Sequence, residues 1–200
     1  MRSGTSFFNV TVWKKTVLRF WPIWAVGLVF WVLALPAQGM MALQRQLENG
    51  GDWLLSFSAS VDGLGGDTAL SFAVVFGLLA AMAVCSHLYS SRSANFMGAL
   101  PVRREGLFVS HYPAGLSMLL LPNIVVFLLT LLVEALGGAV MWPPLMFWLT
   151  ALSGMEFFFY SFAVFCAMFT GHILALPAFY VILNFLVMVI STLLAELMNR

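Results

Sequence analysis

Four long stretches of this chain carry almost no charge, and each is long enough to cross a lipid bilayer. Residues 20–44, 68–91 and 106–133 contain no Lys, Arg, Asp or Glu, and Glu156 is the single charged residue in 145–195. A membrane-spanning helix needs about 20 predominantly apolar residues. Charged residues are 8% of the chain, against roughly 25% in a soluble domain. Water therefore cannot be the solvent for most of the surface.

The fourth stretch is too long for one helix at 1.5 Å per residue. Thr170-Gly171-His172, followed by Pro177, divides it into two. Helices are expected throughout, because backbone in contact with lipid must satisfy its own hydrogen bonds. The sequence predicts an all-α, polytopic transmembrane helical bundle, forming a single domain over 1–200. The predicted spans lie near 22–43, 69–88, 114–133, 145–169 and 173–195.

Tryptophans stand near two of the predicted span starts. Trp21 and Trp24 begin the first span, and Trp142 and Trp148 begin the fourth. Tryptophan is enriched where a membrane meets water. We expect these residues to mark the interfaces, the alternative being that they are packed aromatics.

The sign of the net charge alternates from one connecting segment to the next. Residues 1–21 hold four basic residues and no acid, 44–67 hold one basic residue and four acids, and 89–112 hold three basic residues and one acid. By the positive-inside rule the N-terminus and the loop 89–112 are cytoplasmic. We expect a multi-pass membrane protein with its N-terminus in the cytoplasm. The fifth span then ends outside, near Arg200, which favours a chain truncated before a sixth span.

The N-terminal segment is predicted to be an amphipathic helix, over 5–20, lying in the inner membrane interface. Basic residues Lys15 and Arg19 lie opposite an apolar face. That face comprises Phe7, Val10, Trp13, Val17, Phe20 and Trp21. The alternative is a disordered basic anchor that only sets the topology.

The cytoplasmic loop 89–112 mixes apolar and basic side chains, although a loop in water should be polar. Such a mixture suits a docking surface for a partner protein. It equally suits a compact loop whose arginines contact lipid phosphates, and spacing alone does not choose between the two. The candidate residues are Arg92, Asn95, Phe96, Leu100, Pro101, Arg103, Arg104, Glu105 and Phe108.

The loop resembles a known family in its motif. The run is Arg92-x-x-Asn95-Phe96, then Leu100-Pro101-Val102-Arg103-Arg104-Glu105-x-Leu107-Phe108, then His111-Tyr112-x-x-Gly115. It resembles the loop between spans two and three of bacterial ABC-2-type transporter permeases. The order of a basic amphipathic helix, a span, an acidic outer loop and a second span is similar too. Six spans are usual in that family, so five is a departure.

The resemblance implies a coupling segment that sits in a groove of an ATP-binding subunit. Phe96, Leu100 and Phe108 would then be apolar anchors, and Arg103 and Arg104 would complement charge. It also implies an exporter of the bacterial plasma membrane, a dimer of permease domains, homomeric or heteromeric, that works with two ATPase subunits by alternating access.

No phosphate chemistry is expected of this chain itself. It contains no G-x-x-x-x-G-K-[ST] motif, so ATP and Mg²⁺ are expected on the partner ATPase, and this chain is not predicted to be an enzyme. It is expected to bind no cofactor of its own.

One acid lies inside a predicted span, and a second lies directly after one. Glu156 is near mid-bilayer, where an ionisable group is a functional candidate by default. Glu134 is near the outer end of the third span. Either a substrate or ion path, or a buried structural hydrogen bond, accounts for Glu156. Asn123 and Asn184 are expected to form hydrogen bonds between helices.

Other classes of protein fit less well. The three histidines have no partner at i+3 or i+4, so no metal site is predicted. Nucleic-acid binding is not supported. Cys85 and Cys166 are expected to be buried thiols. The main alternative to a permease is a non-transporting integral membrane scaffold or assembly subunit. A secondary transporter would need internal repeats, which the sequence does not show.

Overall fold

The computed structural model describes residues 10–49, 53–86, 89 and 104–198, and this part of the chain is helical and contains no strand. The predicted all-α fold is therefore confirmed. The helices are α1 (Val10–Arg19), α2 (Trp21–Ala34), α3 (Pro36–Asn49), α4 (Trp53–Gly63), α5 (Ala69–Cys85), α6 (Arg104–Leu136), α7 (Trp142–Phe169) and α8 (Ala175–Met198), with a π-helical turn at Leu64–Thr68.

Five helical segments are long and apolar enough to cross a membrane, which confirms the predicted number. We number them spans 1 to 5 in chain order. They are Trp21–Glu48, Phe57–Cys85, Phe108–Leu136, Trp142–Phe169 and Ala175–Met198.

The helices extend beyond the charge-free stretches that the sequence marks. Span 1 continues through Arg45 to Glu48, and span 2 begins at Phe57 although its charge-free stretch begins at residue 68. The reason is that a helix satisfies its backbone hydrogen bonds equally well inside and outside lipid. Asp62 is accommodated in the extended part of span 2 because its side chain is exposed.

Two interruptions bend the first two spans. Pro36 lacks a backbone N–H and begins α3 directly after Leu35, whose φ of −113° and ψ of −76° depart from helix geometry. Gly66, with φ −93° and ψ −115°, kinks span 2 between α4 and α5.

Spans 2 and 4 are the most extensively packed helix pair among the described residues. The contacting face of span 2 is built from small residues, among them Ala73, Gly77 and Ala80, all buried. A Cβ on Gly77 would lie 3.0 Å from the backbone nitrogen of Tyr160 on span 4. Small residues let helix backbones approach, which strengthens van der Waals packing where lipid removes the hydrophobic driving force.

Span 5 lies at the edge of the bundle. Leu176 and Tyr180 in its first turns are buried, and the Tyr180 hydroxyl donates a hydrogen bond of 3.2 Å to the carbonyl of Val74 on span 2. The side chains from residue 185 to residue 198 are exposed in the chain as described. The first half of span 5 is therefore held by the bundle, and the second half is not.

Contacts identify the two ends of the bundle. At one end, which we call the basic end, α1 packs against the start of α6, and the Tyr89 hydroxyl lies 3.0 Å from Thr170 Oγ1 at the end of span 4. At the opposite end, Gly137 in the turn after span 3 lies against the ring of Trp53.

Candidate functional site

A polar pair lies in the middle of the bundle, where spans 3 and 4 face each other. Asn123 on span 3 donates a hydrogen bond of 2.7 Å from Nδ2 to Oε2 of Glu156 on span 4. Glu156 is 0% exposed and Asn123 is 1% exposed. The interhelical hydrogen bond expected of Asn123 is thus present, and its partner is the intramembrane acid that the sequence singled out.

Helix periodicity explains how Glu156 comes to face inward. Leu152 and Tyr160, one turn before and one turn after it, are both fully buried. Residues four apart lie on the same face of a helix, so an inward-facing strip carries the carboxyl between two apolar side chains. Ser153, one turn from Glu156, lies 3.5 Å from the Nδ2 of Asn123 and adds a second polar contact.

Glu134 is in a different place and has a different local role. It is 1% exposed, and its Oε2 accepts a hydrogen bond of 3.0 Å from the backbone N–H of Met141, the residue that caps span 4. Eleven residues of helix, about 16 Å, separate it from Asn123. The two candidate acids therefore do not form one site.

Asn184 was expected to bond between helices, but its described hydrogen bond lies within its own helix. Its Nδ2 donates to the carbonyl oxygen of Tyr180 on the same helix at 2.9 Å.

The basic end contains what the structure describes of the loop 89–112. The long helix α6 begins at Arg104, and Phe108, four residues later, is 44% exposed with its ring 5.7 Å from that of Tyr112. The backbones of Arg104 and Glu105 are helical, and their side chains lie outside the described part of the structure. The remaining candidate residues lie outside the described residues: Arg92, Asn95, Phe96, Leu100, Pro101 and Arg103.

Helix α1 is attached to α6 by two polar contacts. The Trp13 indole N–H donates to Ser117 Oγ at 3.1 Å, and Thr16 Oγ1 lies 3.3 Å from His111 Nδ1. The Thr16 hydroxyl also donates to the carbonyl of Val12 at 2.9 Å. Its oxygen is thereby left as an acceptor for an N–H at Nδ1 of His111.

The exposed surface of α1 is basic. Lys14, Lys15 and Arg19 are all exposed, and Trp13 and Val17, which were predicted to lie on the apolar face, are half-buried. Val10, predicted for the same face, is 60% exposed. The helix thus rests on the protein by part of its apolar face and by Thr16, a residue that the sequence did not single out.

Sequence reasoning missed one aromatic at the site. Trp31 on span 1 is 0% exposed, and its ring lies 5.1 Å from Trp148 on span 4 and 5.1 Å from Phe72 on span 2. Trp148 was expected at an interface and is instead a fully buried packed aromatic, whereas Trp142 is 51% exposed. The sequence could have identified Trp31. Tryptophan prefers the membrane interface, and a tryptophan in the middle of a span is therefore unusual.

Metal-ligating residues do not gather in the described part of the chain, where no group of three His, Cys, Asp or Glu side chains could hold an ion. Cys85 and Cys166 are free, buried thiols.

Neither a protein-family model, nor a curated protein, nor a solved structure matches the chain. Its function must therefore be argued from its own residues.

Proposed function

We propose that this chain is the membrane-spanning permease subunit of an ATP-driven ABC-type transporter of the bacterial plasma membrane. A separate ATPase subunit, present in two copies, would bind ATP and Mg²⁺ and dock on the loop 89–112. The N-terminus and this loop would face the cytoplasm, as the positive-inside rule requires of the basic segments. The resemblance of the loop to ABC-2-type permeases supplies the class of partner and the export direction.

The observation that carries the proposal is the length and continuity of α6. Its 33 residues run without a break from Arg104 to Leu136, through Pro113 and Pro122. At 1.5 Å per residue this helix is about 50 Å long, whereas the hydrocarbon core of a bilayer is about 30 Å thick. One continuous helix therefore begins inside the family-like loop motif and reaches the polar pair in the middle of the bundle.

A continuous helix transmits displacement along its whole length. A partner that moves the first turn of α6 would also move Asn123, and with it the hydrogen bond to Glu156 on span 4. This link supports a mechanism in which closure of two ATPase subunits rocks the spans between inward-open and outward-open arrangements. Because α1 is attached to α6 through Trp13 and Thr16, it would move with the same unit.

The basic end also offers apolar surface to a partner. Phe108 is 44% exposed at the start of span 3, one turn after Arg104, and belongs to the family-like motif. An exposed aromatic beside basic residues suits a partner interface with an apolar centre and a charged rim.

A permease of this kind works as a pair of domains. We propose a second permease domain, identical or different, as the lateral partner within the lipid bilayer. The spans themselves would supply the transport path, and the chain would carry out no hydrolysis.

The test is co-purification of the tagged chain from gently solubilised native membranes. Wild type is compared with a triple variant, Phe96→Ala, Arg103→Ala and Arg104→Ala. The matched control is Lys14→Ala with Lys15→Ala, which removes two exposed positive charges from the same end of the bundle. We expect a P-loop ATPase to co-purify with wild type and with the control, and to be lost from the triple variant.

Absence of an ATPase from the wild-type sample, under conditions that keep other membrane complexes intact, would contradict the permease proposal and favour the scaffold alternative. If the ATPase is lost equally from the triple variant and from the lysine control, the result would contradict the coupling role of the loop and indicate a general charge effect.

A further inference from the structure

The Glu156 carboxyl lies between two apolar clusters and has no basic neighbour among the described residues. One cluster includes Trp31, Phe72 and Leu152, and the other includes Tyr160 and Ala163. The sequence places no Lys or Arg in spans 2 to 5. Arg45, the one basic residue of span 1, is exposed and follows Trp31 by fourteen residues, about 20 Å along a helix. No Lys or Arg side chain that the structure describes is therefore placed to pair with the carboxyl.

Of the two oxygens of the Glu156 carboxyl, one has a described hydrogen-bond partner and the other has none. Oε2 accepts from the Asn123 amide at 2.7 Å. Oε1 is buried and has no hydrogen-bond partner among the described residues. A buried carboxylate with a single neutral donor retains most of its desolvation cost, whereas the neutral acid avoids the cost of a buried charge.

A small cavity adjoins the pair. Its volume is about 10 Å³, close to the minimum that admits one water molecule. Trp31, Asn123 and Glu156 line it together with apolar side chains from spans 1, 2 and 3. The indole Nε1 of Trp31 is also buried without a partner in the part of the chain that the structure describes. Two unsatisfied polar atoms thus belong to residues that bound one water-sized space.

We propose that Glu156 is a proton-binding site in the membrane core, protonated at neutral pH, with one water molecule held in the adjoining cavity. The Oε1 hydroxyl of the acid donates to the water oxygen, and the Trp31 indole N–H donates to the same oxygen. Oε2 remains the carbonyl oxygen that accepts from Asn123. One water molecule then satisfies both orphaned groups, which is the usual role of buried water.

Among the described residues that line the cavity, Glu156 is the single titratable group. Span 1 contributes Trp31, span 2 contributes Phe72 and Phe76, and span 3 contributes Asn123, none of which ionises. On span 4 itself the next titratable side chain is Tyr160, one turn away, whose hydroxyl donates to the carbonyl of Tyr112. Release of the proton would leave an uncompensated charge that only water, an entering cation or a change of helix contacts could stabilise.

Proton occupancy is thereby linked to the position of span 3. Asn123 is the one described side chain that donates to the carboxyl, and it is fixed to α6. A displacement of α6 that removes this donor changes the environment of the proton, and by linkage release of the proton changes the preferred position of α6. This proposal does not depend on whether an ATPase binds the loop.

Infrared spectroscopy of the purified chain in lipid bilayers tests the proposal directly. A protonated carboxylic acid has a C=O stretching band that is separate from the bands of carboxylates and amides. We expect this band at neutral pH in the difference spectrum obtained by subtracting the spectrum of the Glu156→Gln variant from that of wild type. We expect the band to shift to lower frequency in D₂O, because a proton in contact with water exchanges.

Two further variants make the assignment specific. Glu134→Gln, which changes the other buried acid of the spans, should leave the Glu156 band in place. Trp31→Phe removes the indole N–H while keeping an aromatic ring, and it should shift the Glu156 band because the water loses one partner.

The outcomes that overturn the proposal are distinct. Absence of a protonated carboxyl band in wild type at neutral pH overturns proton binding, whether or not Glu156→Gln folds. A band that fails to exchange in D₂O, or that is unchanged in Trp31→Phe, overturns the water. If Glu156→Gln does not fold, Asn123→Leu replaces it, and a Glu156 band must then move to higher frequency as its amide donor is lost.

Discussion

The hydroxyl of Tyr160 on span 4 donates a hydrogen bond of 2.9 Å to the carbonyl oxygen of Tyr112 on span 3. Gly115, three residues after Tyr112, leaves the space through which the tyrosine reaches this carbonyl. A Cβ at Gly115 would collide with the Tyr160 hydroxyl and would lie 2.7 Å from Val84 Cγ2 on span 2. Three spans therefore meet at one glycine.

Replacing Gly115 by alanine should destabilise the bundle. The added methyl group must displace Tyr160 or separate the spans, and overpacking of this kind costs about 1–3 kcal/mol. The measurement is thermal or denaturant unfolding in detergent, followed by circular dichroism.

The matched control is Gly154→Ala, since a Cβ at Gly154 meets nothing within 4 Å. This change should leave stability equal or raise it by about 0.5–1 kcal/mol, because alanine is the better helix former. Equal effects of the two substitutions would show that the crowding at Gly115 is unimportant.

Glu134 is predicted to act as a cap for span 4 rather than as part of a transport path. Glu134→Ala removes the acceptor of the Met141 N–H and should cost about 1 kcal/mol, as loss of a helix cap does. Glu134→Gln keeps an acceptor oxygen and should cost less. Unfolding of the purified variants measures both losses of stability. A larger loss in Glu134→Gln than in Glu134→Ala would contradict the capping role.

The Asn123–Glu156 hydrogen bond should appear as a coupling energy in a double-mutant cycle with Asn123→Leu and Glu156→Leu. Polar pairs between membrane helices contribute about 0.6 kcal/mol on average and up to about 1.7 kcal/mol. We expect a value in this range, because the donor is a single neutral amide. A coupling energy near zero would mean that the 2.7 Å contact contributes nothing to stability.

The contact between Thr16 and His111 should hold α1 against span 3. Thr16→Val keeps the shape of the side chain and removes its oxygen, with an expected loss of about 0.6 kcal/mol. Opening of the helix should then increase roughly threefold, which hydrogen–deuterium exchange at residues 10–19 can measure.

Thr150→Val is the control for that measurement. Thr150 is exposed and its hydroxyl donates only within its own helix among the contacts described. Thr150→Val should leave hydrogen–deuterium exchange in α1 unchanged. An equal increase in both variants would contradict a specific attachment through Thr16.

The sequence predicted the number of spans because charge-free apolar length is a property of each segment alone. The ends of the helices do not follow from that property. Asp67 bounds a charge-free stretch but does not stop the helical segment, since its side chain is exposed where span 2 extends beyond the apolar core.

The partners within the bundle could not be predicted, because they depend on which helices are neighbours. Glu156 was identified as a candidate from its depth, but its contact with Asn123 and the cavity shared with Trp31 require spans 1, 3 and 4 to be placed together. Trp148 illustrates the same limit. Its position near a span start suggests an interface, yet packing against Trp31 buries it.

The length of α6 has a consequence for the protein's response to its lipid. A helix of about 50 Å cannot lie upright within a hydrocarbon layer of about 30 Å, so it must protrude, tilt or do both. Helices adjust such hydrophobic mismatch by tilting when the bilayer becomes thinner. Acyl chains of different lengths would therefore change the angle at which the first turn of α6 leaves the bilayer, and the thickness of the membrane becomes a mechanical input to the chain.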